Sequence, residues 1–295
     1  MSAFIIDGKK ISKEIRQELA VEIDELSASG VVPGLATVLI GDNPASASYV
    51  RMKKKACQKL NIYNESIERE STISEKELLD IIHGLSDDSK IHGILVQLPL
   101  PNHINEKKII NAIPAEKDVD GFSPINVGKM MLGQDAFVSC TPAGIQELLV
   151  RSGFSPEKKN VVILGRSHIV GMPLANLLMR KARGANSTVT VCHTGTQNLK
   201  HVTMQADILI AAMGRPESVT ADMVNENAVI IDVGTNRVDA PETEKGYKIV
   251  GDVKFNEVVD KVRAISPVPG GVGPMTITML LKNTVKSARE FMMRQ

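Results

Sequence analysis

The segment YVRMKKK (49–55) carries residue types that could exchange protons beside a flat ligand. Tyr49 and Lys53 are four residues apart, so on a helix they project from one face, whereas Lys54 and Lys55 point elsewhere. The tyrosine ring could pack on a flat substrate, and the lysine amine could take up and release protons if partial burial lowered its pKa. The alternative is a solvated basic face, because charge runs on helices are commonly exposed.

A second set of candidate residues lies downstream. Gln97 is a polar side chain in the core of the apolar run IHGILVQLPLP (91–101), just before a Pro-Leu-Pro stop, and ligands gather beyond the carboxyl ends of such strands. Asp118 and Asp120, in EKDVDGFSP (116–124), precede a glycine turn. Either carboxylate could accept hydrogen bonds from amine groups of a ligand, or could bond nearby backbone amides of the turn. Nothing local separates the two acids.

The segment around 158–182 predicts a strand, a glycine turn and a helix, which is typical of a dinucleotide site. Only Gly165 and Gly171 remain of the G-x-G-x-x-G pattern, so the generic fingerprint is not met. Arg166 and Ser167 stand where the strand ends and the helix begins, and donors and a positive dipole there suit a phosphate. The alternative is a structural turn with a surface arginine.

Three further positions bear on ligands. Thr194 lies just past the point where the next predicted strand ends, at Cys192, and a Rossmann unit meets the adenosine ribose there. A hydroxyl at this position instead of an acid is compatible with a 2′-phosphate and favours NADP. The run SPVPGGVGPMT (266–276) is rich in glycine, so its backbone could approach a ligand closely or could simply form a tight connection. Cys140 precedes a predicted helix whose dipole could stabilise a thiolate, but no histidine near it in sequence could act as its base. We therefore interpret Cys140 as a wall residue, meaning one that lines a site, and not as a nucleophile.

The elements that must position these residues follow a βα rhythm. Helices are predicted at about 9–27, 45–60, 142–152 and 174–181, at the C-terminus, and in a segment that starts at the capping box of Ser74 and Glu77. Strands are predicted within the segments 34–41, 91–101, 161–165, 188–196, 207–214 and 227–235. The pattern predicts the α/β class: two α/β domains flanking a cleft, the C-terminal one a Rossmann-like dinucleotide-binding domain. Met130 and Met131 are expected to fill a core.

Composition excludes several classes of function. The chain has 35 basic and 34 acidic residues, so its net field does not favour nucleic acid or an acidic membrane surface. Aromatic residues make up 3% and tryptophan is absent, which disfavours a stacking surface for single strands. The three cysteines lack a C-x-x-C pair and the six histidines lack H-x-x-x-H spacing, so neither a disulfide framework nor a metal is expected. No signal peptide or membrane span is expected, and a reducing, cytoplasmic compartment fits.

Seven segments together resemble one family. They are YVRMKKK, VQLPLP, KDVDGF, SCTPAG, GRSHIVGMP, DVGTNRV and PVPGGVGPMT, and they follow one another across about 230 residues. In this order they resemble the bifunctional methylenetetrahydrofolate dehydrogenase/cyclohydrolase family of the FolD type, over essentially the whole chain. The family reaction is hydride transfer from 5,10-methylenetetrahydrofolate to NADP⁺, followed by hydrolysis of the methenyl product to 10-formyltetrahydrofolate.

The resemblance also implies domains and partners. Residues 1–140 would form a folate-binding catalytic domain, with a C-terminal helix at about 275–295 packing back on it, and residues 141–274 an NADP-binding domain that forms a homodimer. Tetrahydrofolate derivatives would be the ligands, without a metal, nucleic acid or membrane.

By motif position, the resemblance assigns a role to each candidate residue. Lys53 corresponds to the general acid/base, Tyr49 to the ring beside the pterin, Gln97 to the partner of Lys53 and Asp120 to the pterin-binding carboxylate. The expected cofactor contacts are Gly165, Arg166, Ser167, Thr194 and Thr235, and the expected substrate contacts are Tyr49, Gln97, Asp120, Pro269, Gly270 and Gly271.

Two positions depart from the family pattern. Gly195 stands where a basic or larger residue is frequent, which weakens the assignment of NADP, and Thr235 stands where isoleucine is common. Three rival hypotheses are a dehydrogenase without hydrolysis, a non-catalytic folate- or nucleotide-binding regulator, and an unrelated amino-acid dehydrogenase with a similar C-terminal domain. The intact residues in both halves argue against the first two, and the N-terminal matches argue against the third.

Overall fold

The computed structural model describes residues 2–243 and 246–295, which form two compact units. The six-stranded unit comprises the residues up to Lys13 together with Thr141–Thr276, and the three-stranded unit comprises Glu14–Cys140 together with Ile277–Gln295. The helices are α1 (Gly8–Ala28), α2 (Pro44–Lys59), α3 (Glu75–Asp87), α4 (Glu106–Ala112), α5 (Pro124–Met131), α6 (Cys140–Arg151), α7 (Gly171–Met179), α8 (Leu199–Thr203), α9 (Phe255–Val258) and α10 (Val272–Met292). The strands are β1 (Phe4–Ile5), β2 (Gly34–Ile40), β3 (Tyr63–Arg69), β4 (Gly93–Val96), β5 (Asn160–Leu164), β6 (Thr188–Cys192), β7 (Ile208–Ala211), β8 (Val229–Asp232), β9 (Asn236–Asp239), β10 (Tyr247–Val250) and β11 (Ala264–Ile265).

The six-stranded unit is built on a parallel sheet with the order β1-β11-β8-β7-β5-β6. The short apolar runs of β7 and β8 are buried along their whole length, as expected for strands covered on both faces. Strand β5 has β6 on one side and β7 on the other, so the strand order reverses there, and such a reversal is where α/β sheets bind ligands. The predicted α/β class is confirmed.

The N-terminal residues differ from the sequence-based domain boundary. Phe4 and Ile5 pair in parallel with Ala264 and Ile265, which makes β1 the edge strand of the six-stranded sheet. The first thirteen residues therefore belong with 141–276 and not with the rest of 1–140. A strand of two residues carries no periodicity that could have placed it from sequence.

The three-stranded unit has the parallel order β3-β2-β4, with β2 central and fully buried. Its core includes Leu78, Ile82 and Leu85, which lie on one face of α3 and pack with the buried strand residues. Ser74 accepts a hydrogen bond from the backbone amide of Glu77, and the Glu77 carboxylate accepts from the amide of Ser74. The predicted capping box is confirmed.

The C-terminal part of α10 is held in the three-stranded unit by side chains. The Asn283 amide donates to the carbonyl of Val119 at 2.8 Å, and the Ser287 hydroxyl donates to the carbonyl of His92 at 2.6 Å. Ion pairs join Lys286 to Asp135 and Arg289 to Glu22. Within the described residues, no helix has the length and apolarity that a membrane span requires. Met130 is buried, whereas Met131 is 57% exposed, so the prediction of core filling is wrong for Met131.

A buried histidine ties β4 to β2 in this unit. The Nδ1 atom of His92 accepts a hydrogen bond from the backbone amide of Gly34 at 3.0 Å, and its ring packs edge-on against Phe291. Among the described residues, Nε2 of His92 has no hydrogen-bond partner. Burial, helped by the charge of Lys117 and opposed by Asp88, lowers the pKa of His92 to about 4. The ring is therefore neutral at neutral pH.

Acid should weaken the fold through His92. As the pH falls below 6.5, the unfolded chain takes up this proton first, because the folded state accepts it only near pH 4. The two pKa values differ by enough to remove about 3 kcal/mol of stability across that interval. We therefore expect His92→Asn, whose Oδ1 can replace Nδ1 as acceptor, to lose less unfolding free energy than the wild type between neutral pH and about pH 4.

Denaturant unfolding at both pH values measures this difference. Exposed His83 offers the matched variant His83→Asn, which should follow the wild type. Parallel losses in the wild type and in His92→Asn would contradict the role of His92.

Candidate active site

Helix α2 places Lys53 and Tyr49 on one face of the three-stranded unit. The helix begins at Pro44, and the Asn43 side chain accepts hydrogen bonds from the amides of Ala45 and Ser46. Tyr49 is partly buried and Lys53 is only 7% exposed. Since Lys54 and Lys55 are exposed, the alternative of a solvated basic face holds for them and is wrong for Lys53.

The amine of Lys53 meets the side chain that follows β4. Its Nζ donates a hydrogen bond to Oε1 of Gln97 at 2.9 Å. Gln97 is itself fixed at both ends, because its backbone amide donates to the carbonyl of Val38 and its Nε2 donates to the carbonyl of Leu98 at 2.8 Å. The amide oxygen of Gln97 is thereby held toward the lysine, 44 residues away in sequence.

Asp120 completes this group electrostatically. Burial lowers the pKa of Lys53, and the nearby charge of Asp120 opposes that effect. Burial also raises the pKa of Asp120, while the charge of Lys53 and a hydrogen bond with Cys140 lower it. The two pKa values are therefore brought closer together than those of an exposed lysine and aspartate, which suits a group that must both take up and release a proton.

The structure separates the two acids that the sequence left equivalent. Asp118 is 2% exposed, and its carboxylate accepts hydrogen bonds from the backbone amides of residues 121–123 at 2.8 to 3.2 Å. It also accepts from the side-chain amide of Asn126 at 2.8 Å. Asp118 thus forms the turn, and this turn leaves Asp120 to interact with Lys53.

Cys140 lies beside Asp120 at the start of α6. It is 1% exposed, and its thiol donates to the carbonyl of Val119 at 3.4 Å. Burial and the charge of Asp120 raise the pKa of Cys140 well above its ordinary value. The thiol is therefore neutral at neutral pH, in accord with its interpretation as a wall residue.

The turn after β5 leaves no room for side chains at its two glycines. A Cβ atom at Gly165 would lie 2.1 Å from the carbonyl oxygen of Ala212, and Gly165 has a φ of +120°. A Cβ atom at Gly171 would lie 2.2 Å from the carbonyl oxygen of Gly165. Two backbone segments therefore approach closely at the strand-order reversal, before the N-terminus of α7, which fits a dinucleotide phosphate.

The other predicted cofactor contacts lie at the carboxyl edge of the same sheet. Arg166, Ser167 and Thr194 are exposed, and Thr235 is exposed in the connection between β8 and β9. The Ser167 hydroxyl accepts hydrogen bonds from the amides of Val170 and Gly171 at 3.2 and 3.4 Å, so it also holds the turn. The position of these side chains at the ends of β5, β6 and β8 leaves them accessible to a ligand at that edge.

The proline- and glycine-rich segment follows β11 in the six-stranded unit. Pro269 is exposed, Gly270 has a φ of +115°, and the amide of Gly271 donates to the carbonyl of Pro267 at 2.8 Å. A Cβ atom at Gly8 would lie 1.8 Å from the carbonyl oxygen of Gly271, so α1 begins directly against this segment. These residues share a unit with Gly165, whereas Tyr49, Lys53, Gln97 and Asp120 share the other.

Sequence reasoning missed two buried acids in the six-stranded unit. Asp232 and Asp252 each accept several backbone hydrogen bonds beyond the ends of β7 and β8. The available signal was an aspartate next to or near a glycine in DVG (232–234) and GDV (251–253). In the described part of the chain, no cluster of three or more His, Cys, Asp or Glu side chains could hold a metal ion.

A parallel sheet with a glycine turn at its strand-order reversal, and a second unit with a buried lysine, amide and carboxylate, define a two-unit α/β enzyme with a dinucleotide-binding unit. The chain belongs to the tetrahydrofolate dehydrogenase/cyclohydrolase family. The family profile of the catalytic domain matches residues 6–120, and that of the NAD(P)-binding domain matches residues 139–292. The resemblance inferred from seven motifs is confirmed.

Several relatives match nearly the whole chain. The bifunctional protein FolD of Syntrophus aciditrophicus (strain SB) is 56% identical over 289 residues, which is 98% of each chain. The crystal structure of the bifunctional FolD methylenetetrahydrofolate dehydrogenase/cyclohydrolase from Campylobacter jejuni has 46% identity and a TM-score of 0.92, and covers 98% of this chain and 99% of that one. The FolD of Trypanosoma brucei, complexed with NADP cofactor and inhibitor, has 37% identity and a TM-score of 0.93, with 98% of each chain covered.

Proposed function

We propose that this protein oxidises 5,10-methylenetetrahydrofolate with NADP⁺ and hydrolyses the 5,10-methenyl product to 10-formyltetrahydrofolate. Full-length membership in a family of bifunctional dehydrogenase/cyclohydrolases supports both steps. The observation that carries the proposal is the buried Lys53 amine, bonded to Gln97 at 2.9 Å and facing the charge of Asp120. A chain that had kept only the fold would not need this costly polar group in its interior.

Lys53 is the general acid/base of the hydrolysis. Its lowered pKa gives a larger fraction of neutral amine near neutral pH than an exposed lysine has, so it can accept a proton from the water that adds to the methenyl carbon. It then returns a proton to the folate nitrogen as the ring opens, and the overall reaction releases one proton. Gln97 orients the amine through its fixed amide oxygen.

Tyr49 and Asp120 bind the folate ring. Asp120 can accept hydrogen bonds from the amine groups of the pterin, because the residue is only partly buried and Asp118, not Asp120, forms the turn. Tyr49 lies one helical turn before Lys53 and offers a flat ring face beside the same ligand. Pro269, Gly270 and Gly271 supply backbone to the substrate, since their segment carries little side-chain bulk.

Gly165, Arg166, Ser167, Thr194 and Thr235 hold the cofactor. NADP⁺ supplies the hydride acceptor, and hydride transfer otherwise requires mainly correct placement of the two bound rings. The glycine turn admits the pyrophosphate, the arginine offers a charge and hydrogen-bond donors, and the Thr194 hydroxyl is compatible with a 2′-phosphate. The protein acts as a cytoplasmic homodimer, as the family resemblance implies.

Ultraviolet absorbance tests the two activities separately. Purified protein with 5,10-methylenetetrahydrofolate should form NADPH from NADP⁺ faster than it forms NADH from NAD⁺. Added 5,10-methenyltetrahydrofolate should lose its absorbance faster than in buffer alone. Cofactor reduction without hydrolysis would indicate a dehydrogenase only, and ligand binding without either signal would indicate a non-catalytic regulator.

A further inference from the structure

Two buried carboxylates lie beside the loops that follow β7 and β8. Asp252 is 0% exposed, and its Oδ2 accepts hydrogen bonds from the amides of Met213 and Gly214 at 2.6 and 2.9 Å. Its Oδ1 accepts from the amide of Arg215 and from Nδ2 of Asn236, both at 2.9 Å. One carboxylate thus binds three consecutive backbone amides and a side chain at the start of β9.

Asp232, at the end of β8, holds Asp252 in place. Its Oδ1 accepts from the amides of Gly234 and Asp252, and its Oδ2 accepts from the amide of Val253, all at 2.9 Å. A Cβ atom at Gly251 would lie 1.8 Å from Oδ2 of Asp232, so a glycine is needed for this close approach. The two acids and their neighbours form a single connected cluster.

Burying these two carboxylates has an unfavourable desolvation free energy, and a purely packing role would not require it. Among the described residues, the hydrogen-bond partners of both carboxylates are neutral amides, and burying a carboxylate without an opposite charge is unfavourable. Burial raises the pKa of Asp232 to about 6 despite its three amide donors. Neutral residues could join two loops at lower cost, but three successive amides directed at one anion fix three peptide planes at once.

The fixed planes belong to the segment that meets the glycine turn. Because a trans peptide places its carbonyl opposite its N–H group, the amide that Met213 directs at Asp252 turns the carbonyl of Ala212 away from Asp252. That carbonyl oxygen is the atom that a Cβ at Gly165 would meet at 2.1 Å. The hydrogen bonds of Asp252 to residues 213–215 therefore fix the position of the Ala212 carbonyl, which the Gly165 turn contacts.

We propose that Asp252 is a positioning residue of the dinucleotide site, supported by Asp232 and Asn236. Its carboxylate holds residues 212–215 against the Gly165 turn and also holds the connection between β8 and β9, which carries Thr235. The proposal rests on the proposed binding of NADP⁺ by this edge of the sheet. Asp252 does not touch the cofactor, and it acts through the backbone of these two loops.

Calorimetric titration with NADP⁺ tests the proposal. In Asp252→Asn, an NH₂ group replaces one of the two carboxylate oxygens. Because each oxygen accepts two hydrogen bonds, two of the four N–H donors lose their acceptor and point at the new NH₂ group. We expect the Kd for NADP⁺ to rise about tenfold or more. Asn236→Ala removes only one of the four donors and should raise the Kd about threefold. Hydrolysis of added 5,10-methenyltetrahydrofolate should keep its wild-type rate in both variants.

Asp207→Asn is the matched control, because Asp207 also accepts a backbone hydrogen bond, from Asn160 at 2.8 Å, but at the opposite end of β7. Its Kd should equal that of the wild type. A purely structural role for Asp252 would lower the thermal midpoint and leave the Kd unchanged, which overturns the proposal. If Asp252→Asn does not fold, an unchanged Kd in Asn236→Ala overturns it. A wild-type protein that does not bind NADP⁺ would contradict the proposed function itself.

Discussion

The Lys53→Met variant should convert 5,10-methylenetetrahydrofolate only as far as the methenyl product, which then accumulates. Methionine fills a similar volume in the interior but cannot take up a proton, and a positioned acid/base contributes about a hundredfold or more to such a step. Formation of NADPH should persist, because hydride transfer requires no proton from the enzyme. Absorbance of the methenyl product and of NADPH, followed in the same cuvette, measures both effects.

Two variants distinguish the chemistry of Lys53 from its charge and from the general effect of a substitution on α2. Lys53→Arg keeps a positive charge that does not titrate near neutral pH, so it should hydrolyse as poorly as Lys53→Met. Lys54→Met changes the adjacent exposed lysine and should behave as the wild type. Normal hydrolysis by Lys53→Met would remove Lys53 from its assigned role.

The Gly165→Ala variant should lose cofactor binding while it retains hydrolysis. Its Cβ would lie 2.1 Å from the Ala212 carbonyl oxygen at a φ of +120°, so the turn must move. A displaced turn no longer matches the pyrophosphate, and we expect the Kd for NADP⁺ to rise at least about tenfold, which corresponds to about 1.4 kcal/mol. Calorimetry with NADP⁺ measures the change, and the loss of methenyl absorbance shows that the other site works.

Gly153 provides the matched control for backbone strain. It lies in the same unit with a φ of +80°, but a Cβ there would meet nothing within 4 Å. Gly153→Ala therefore has the unfavourable φ without the collision, and its Kd should remain that of the wild type. Equal binding by Gly165→Ala and the wild type would show that the close approach at this turn does not shape the cofactor site.

The regular elements with strong local signals could be predicted closely. Helix α2 was expected at about 45–60 and spans Pro44–Lys59, because its cap and its spacing are encoded within a few residues. The strands β5, β7 and β8 were also predictable from local sequence, because each is a short apolar run whose residues are mostly buried. Seven motifs in order were enough to indicate the family, which the two family profiles confirm.

Edge strands were not predictable by the same means. Strand β3 reads YNESIER, and each of its residues is either partly buried or exposed. All seven nevertheless pair with β2. Its polar composition follows from its place at the edge of the sheet, so it lacks the apolar pattern that marks a central strand. The two residues of β1 were missed likewise, which shifted the N-terminal boundary between the units.

The sequence by itself determined the α/β class, the residues able to do chemistry and the family, because caps, periodicity and motifs are local. Only the tertiary structure decided which groups are buried and which face one another. It buried Lys53 against Gln97, gave Asp118 to the turn and Asp120 to the lysine, and placed Asp252 on amides 37 to 39 residues away. These arrangements depend on desolvation and on contacts between distant segments, and the energies of both are set only when the chain has folded.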